Sequence, residues 1–217
     1  MNIILESCVE THDEIDGAAR GGAARIELCS RLDIGGLTPS VPMVRYARSK
    51  GLPIAAMVRR RAGFFAARAD IPALKADIRQ MAAAGAGGLV FGFLRGPARS
   101  PRLDIAALTA LVHEAGRCAG RFGKKELVFH MAFDEILESE QYAAIDTLSK
   151  LGFTRILTKG GRTGKAEDHI DRLKVLADYA RGKMTILCGG GVTDDNYQKI
   201  AAAGLTEFHG RRLGFKK

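Results

Sequence analysis

Ala24 to Ser40 reads A-R-I-E-L-C-S-R-L-D-I-G-G-L-T-P-S. Residues 25–29 have the alternation of a short strand, with Arg25, Glu27 and Cys29 on one face and Ile26 and Leu28 on the other. Gly35-Gly36 bends the loop that follows, and Thr38-Pro39-Ser40 opens a helix near Val41. Strand, long loop and helix make one βα unit, with charge and a thiol where the strand runs into the loop.

The same unit recurs along the chain. Strands are expected at 3–8, 25–29, 53–58, 88–92, 126–130, 155–158, 184–188 and 206–209. Helices are expected from about 12 to 20, 41 to 50, 70 to 85, 104 to 116 or 120, 139 or 140 to 152, 166 to 181, and 193 to 204. Gly22, Gly51, Gly85, Gly123, Gly152, Gly182 and Gly204 fall between a helix and the next strand, as left-handed helix stops would. Eight short strands alternating with helices predict one α/β domain over 1–217, a TIM-type (β/α)8 barrel. An open doubly wound sheet is the alternative, and no G-x-G-x-x-G follows the first strand to favour it.

Composition narrows the function classes. The 217 residues are 47% hydrophobic and 26% charged, and no run approaches the ~18 apolar residues of a membrane span. A strand beginning at Ile3 leaves no expectation of a signal peptide. Four scattered cysteines do not make a disulfide framework, which predicts a reducing, cytoplasmic setting. The net charge of +9 is spread along the chain and aromatics are only 6%, which disfavours nucleic acid and leaves anionic ligands or only a well-solvated basic surface.

In a barrel of this kind the C-terminal strand ends form one rim, where ligands bind. The rim should carry Glu6 and Cys8, Glu27 and Cys29, Arg59 and Arg61, Phe91 and Gly92, His130 with Asp134, Thr158 and Lys159, Cys188 before three glycines, and His209. Arg59, Arg61 and Lys159 face glycine turns at Gly160-Gly161 and Gly189-Gly190-Gly191, so Arg59, Arg61, Thr158, Lys159, Gly190 and Gly191 are candidates for binding an anion. Glu27, His130 and Asp134 are the acid–base candidates. Cys8 and Cys29 end neighbouring parallel strands, and with an imidazole such as His130 they would suit soft Cu(I). The competing reading is that free cysteines are small buried hydrophobes, which is how Cys118 reads. His12, His113 and His169 are assigned to the surface.

Several motifs resemble the copper homeostasis family CutC: Leu5-Glu6-Ser7-Cys8, Arg25-Ile26-Glu27-Leu28-Cys29-Ser30, Gly35-Gly36-Leu37-Thr38-Pro39-Ser40, Val58-Arg59-Arg60-Arg61, Phe129-His130-Met131-Ala132-Phe133-Asp134 and Arg155-Ile156-Leu157-Thr158. The resemblance covers nearly the whole chain in order. It implies a TIM-type barrel, a cytoplasmic setting, a homo-oligomer and copper binding, with the Cu(I) cysteines falling on Cys8 and Cys29. The chain departs from the family pattern at Arg60 (proline in R-P-R-x-G), Met131 (arginine in F-H-R-A-F-D), Lys159 (usually serine) and Gly210-Arg211 (small residues).

Two functional readings result. One is a cytosolic protein holding Cu(I) at the barrel mouth. The other is a barrel enzyme acting on a small anionic or phosphorylated substrate, with no membrane partner in either case. After residue 209 too few residues remain for an eighth helix, so the last helix should be short or missing. A strip beside Phe208 should then lie bare, and self-association through Leu213 and Phe215 would cover it.

Overall fold

A computed structural model describes residues 3–65, 68–123 and 125–215; Lys216 and Lys217, counted above in the C-terminal segment, lie outside them. Eight strands run β1 Ile4–Val9, β2 Arg25–Leu28, β3 Ile54–Met57, β4 Gly88–Val90, β5 Glu126–Phe129, β6 Arg155–Thr158, β7 Thr185–Cys188 and β8 Glu207–Arg211. All pair in parallel, and β1 pairs with both β2 and β8, so the sheet closes into a barrel. The helices are α1 His12–Gly21, α2 Val41–Ser49, α3 Ile71–Ala84, α4 Ile105–Phe122, α5 Glu138–Leu151, α6 Ile170–Ala180 and α7 Tyr197–Ala201. None of them is long and apolar enough to cross a membrane.

Period-two alternation sorts the strand residues. Ile26, Leu28, Ala56, Leu89, Phe129, Ile156 and Phe208 point outward into the main core under the helices. Cys8, Ala55, Met57, Val90, Val128, Leu157 and Leu187 form a smaller cluster inside the barrel. Local chemistry sets the helix starts: Thr11, Ser40 and Asp104 accept from the amides of Glu14, Met43 and Ala107. The seven interval glycines all have positive φ, from 77° at Gly182 to 108° at Gly85, which an L side chain resists.

Two details differ from the sequence reading. A short hairpin, Leu94–Arg95 with Arg102–Leu103, interrupts the path from β4 to α4. The last helix spans Tyr197–Ala201, later than Thr193 suggests, because Asn196 occupies the cap position and its side chain accepts from the Thr193 amide.

No helix follows β8 among the described residues, but the expected bare strip is not found. Phe208 and Leu213 are fully buried. Phe215 lies over α1, so close that a Cβ on Gly17 would sit 2.5 Å from its ring. Arg211 and Arg212 both reach back to the buried Glu14 on α1, at 2.6 and 3.3 Å from its carboxylate. The C-terminal turn therefore covers the gap itself, and the reason for expecting self-association there falls away.

Candidate metal centre and mouth cavity

Alternation brings ionisable residues to the barrel interior in two layers. In the floor, Arg25 donates to Glu6 and, at 2.6 Å, to Glu207. Glu207 also accepts from Arg155 at 2.8 Å, and Arg155 reaches Glu126 at 2.5 Å. Glu6 shares a hydrogen bond of 2.7 Å with His209 Nδ1 across the β1–β8 register. Burial alone would raise the Glu6 carboxyl, but His209 and Arg25 outweigh it and bring it to about 2.

One layer nearer the mouth stand the thiols. The β1–β2 register sets Cys8 opposite Glu27, and Cys29 follows two residues later on the same face. Glu27 Oε1 accepts from Cys8 Sγ at 3.7 Å and from Cys29 Sγ at 3.4 Å. Ligand atoms of Cys8, Glu27 and His209 lie within 4.8 Å of one another, all buried. The two thiols are not equivalent. The S–H of Cys29, with help from His209, stabilises a Cys8 thiolate against burial and brings its pKa to about 5. The neighbouring Cys8, burial and the Glu27 charge drive Cys29 the opposite way, well above a normal thiol. Cys8 thus donates to Glu27 when protonated and accepts from Cys29 and His209 when ionised. Burial, with the charges of Cys8 and Glu6 adding to it, pushes the Glu27 carboxyl up to about 8 although His209 opposes. His209 is raised well above an ordinary imidazole because Glu27, Cys8 and Glu6 overcome its burial.

These groups open into a cavity of about 410 Å3 under the β2–α2 and β3–α3 loops, lined also by Met57, Arg59, Phe64, His130 and Leu157. Arg59 clamps the two loops: its Nη1 donates to the carbonyls of Gly35 (2.6 Å) and Gly36 (3.2 Å), its Nε to Gly63 (3.1 Å). Gly35 has φ 84°, and a Cβ there would meet that guanidinium at 3.2 Å.

The sequence-predicted residues divide accordingly. Cys8, Glu27, Arg59 and His130 meet at the cavity, with Cys29 just behind Glu27. The imidazole within ligand distance of Cys8 is His209, not His130, which stands at the end of β5, four strands away across the barrel. Asp134 accepts from the Thr158 hydroxyl and from the Lys159 amide at 3.1 Å, so it pins the end of β6; burial raises it to about 6 against those bonds. Arg61 is half-exposed and pairs with Asp70 at 2.5 Å. Lys159 lies against Gly190, where a Cβ would come within 2.7 Å of its own, and Gly191 faces Lys165. Among the other departures, Arg60 forks onto Asp77 at 2.6 and 2.8 Å, and Met131 lines the cavity. Cys118 is buried in α4 and Cys188 in the outer core, where burial lifts its thiol to about 12. Glu6 and His209 stood on the expected rim without a role; only the closure of β8 onto β1 shows that they support the thiols.

The comparisons agree with this architecture. The CutC family model matches residues 3–214. The copper homeostasis protein cutC homolog of Mus musculus is 37% identical over 209 residues, 95% of this chain and 72% of that protein. A family protein CutC of Enterococcus faecalis is 35% identical over 97% of this chain and all of its own length. The crystal structure of the copper homeostasis protein CutC from Streptococcus agalactiae superposes with a TM-score of 0.87 at 34% identity, covering 97% of this chain and 99% of that one. A full-length family match on the same closed barrel makes the chain a member of the CutC family.

Proposed function

We propose that this protein binds Cu(I) in the cytosol through Cys8 and Cys29, with His209 beside them, and so takes part in copper homeostasis as its relatives' names imply. The observation that carries this reading is the pair of buried thiols gathered on one carboxylate oxygen, at 3.7 and 3.4 Å, beside a cavity that Cys8, Glu27 and His209 line. Thiolates are soft donors that prefer Cu(I) to the harder divalent ions, and Cys8 is already poised as one. All four cysteines are free, which fits a reducing compartment. Copper here is cargo: Cys8 and Cys29 supply the sulfur donors and His209 a third ligand atom, with the Cys29 and His209 protons leaving to solvent as the metal binds.

Competition with a Cu(I) chelator on single variants tests the reading. Cys8→Ala and Cys29→Ala should each lose Cu(I) affinity by at least tenfold, while Cys118→Ala keeps it. Unchanged affinity in both mouth variants overturns the assignment.

A further inference from the structure

The mouth holds more room than one ion needs. Its volume of about 410 Å3 sits within the ~300–1,000 Å3 of small-molecule sites. The walls around the thiols are largely apolar, with Leu32, Ile34 and Phe64 brought in by the loops. Against that background two polar atoms are buried with no hydrogen-bond partner among the described residues, Glu27 Oε2 and His130 Nε2. Both residues are 3% exposed. Native proteins rarely leave buried donors unpaired, since each costs on the order of 1–3 kcal/mol.

The state of His130 follows from its backbone. It caps the turn after β5, and the Ala132 amide donates to its Nδ1 at 3.3 Å. The neutral ring therefore keeps its hydrogen on Nε2, which makes that atom a donor. Burial and the adjacent Arg59 charge keep the ring neutral, pushing its pKa down to about 3. Gly92 leaves space for the ring, since a Cβ there would lie 2.8 Å from Nδ1. Arg59 adds one positive charge at the wall, already tied to loop carbonyls through Nε and Nη1. Arg61 is turned away on Asp70. One fixed donor, one partly engaged cation and apolar walls do not suit a polyanion.

We infer that this cavity binds a small carbonyl compound with a mainly apolar body, a ketone or a monocarboxylate, whose oxygen accepts from His130 Nε2–H. Glu27 Oε2 pairs with a hydroxyl at the other pole of a ligand that carries one. This is a site for an organic molecule above the thiols, independent of whether they hold copper.

Imidazole 15N spectra of the reduced, full-length, 15N-histidine-labelled protein test it, with 3-methyl-2-butanone, isobutyrate, isobutylammonium and inorganic phosphate as probes. The ketone or isobutyrate should shift the His130 Nε2 resonance saturably; isobutylammonium, with no acceptor, and phosphate should not. His130→Phe, which lacks that resonance and is titrated by calorimetry beside the wild type, should bind about tenfold more weakly, the scale of one lost hydrogen bond. Ile34→Trp, which fills the cavity from its loop, should abolish it. No saturable shift with either carbonyl probe overturns the inference. So does an equal response to phosphate, or binding that survives Ile34→Trp. If His130→Phe does not fold, the wild-type shift and Ile34→Trp decide alone. Copper enters none of these readouts, so loss of the metal reading and loss of this one are told apart.

Discussion

Replacing Arg25 with methionine tests the barrel floor. The side chain is 8% exposed and donates to Glu6 and Glu207, which are 1% and 6% exposed. Removing one partner of a buried ion pair costs about 3–5 kcal/mol, because a charge is left without compensation. Here each carboxylate keeps a second partner, Glu6 its His209 at 2.7 Å and Glu207 its Arg155 at 2.8 Å. The lower end, about 3 kcal/mol at pH 7, is therefore expected, a urea midpoint lower by roughly 1–1.5 M for slopes of about 2–3 kcal/mol/M. The pH dependence has a definite sign. Glu6 titrates near 2 in the fold, below its normal 4.5. Its contribution to stability is present above pH 4.5 and lost as pH falls through 2. Arg25→Met weakens that depression, so the variant has less to lose, and its deficit should narrow between pH 6 and 3. Urea unfolding of both proteins across that range measures it. A deficit below 1 kcal/mol at pH 7, or one that does not change with pH, would refute the account of the floor as a working ion network.

Three further outcomes are expected. Thiolate absorbance near 240 nm should rise with a midpoint about 5 in the metal-free protein and lose that step in Cys8→Ser, while Cys29→Ala moves the midpoint upward because no side-chain donor then stabilises the thiolate. Leu213→Ala should destabilise by about 2–5 kcal/mol in thermal or urea unfolding, as a fully buried leucine in the C-terminal plug, whereas Val175→Ala, 45% exposed, should stay within about 0.5 kcal/mol. Arg59→Ala should expose the β2–α2 and β3–α3 loops to proteolysis, since it removes three bonds to their carbonyls; Arg61→Ala should leave that cleavage pattern unchanged.

The barrel was readable because its information is local. Interval glycines, capping residues such as Thr11 and Asp104, and alternating strand residues each act within a few positions of themselves. Cys8, Glu27, Cys29, Arg59 and His130 could be placed at the mouth for the same reason, since a strand end in a βα unit has only one rim to reach. The hairpin after β4 carried no such signal, as two residues in each arm are too few for a period to register.

The order of elements, the inward face of each strand and the gathering of thiols and carboxylate at one end were determined by the sequence alone, because strand alternation and helix stops are nearest-neighbour properties of the chain. Only the tertiary structure decided which of the gathered groups touch. Closure of β8 onto β1 joined His209 to Glu6, residues 203 positions apart, and made it rather than His130 the imidazole beside Cys8. Asp134 was spent on the end of β6, and Arg61 on Asp70. The C-terminal turn closed over the gap beside α1, with Arg211 and Arg212 clasping Glu14. Such pairings depend on burial and on distances set by barrel closure, where a shift of one residue in register turns every inward group outward.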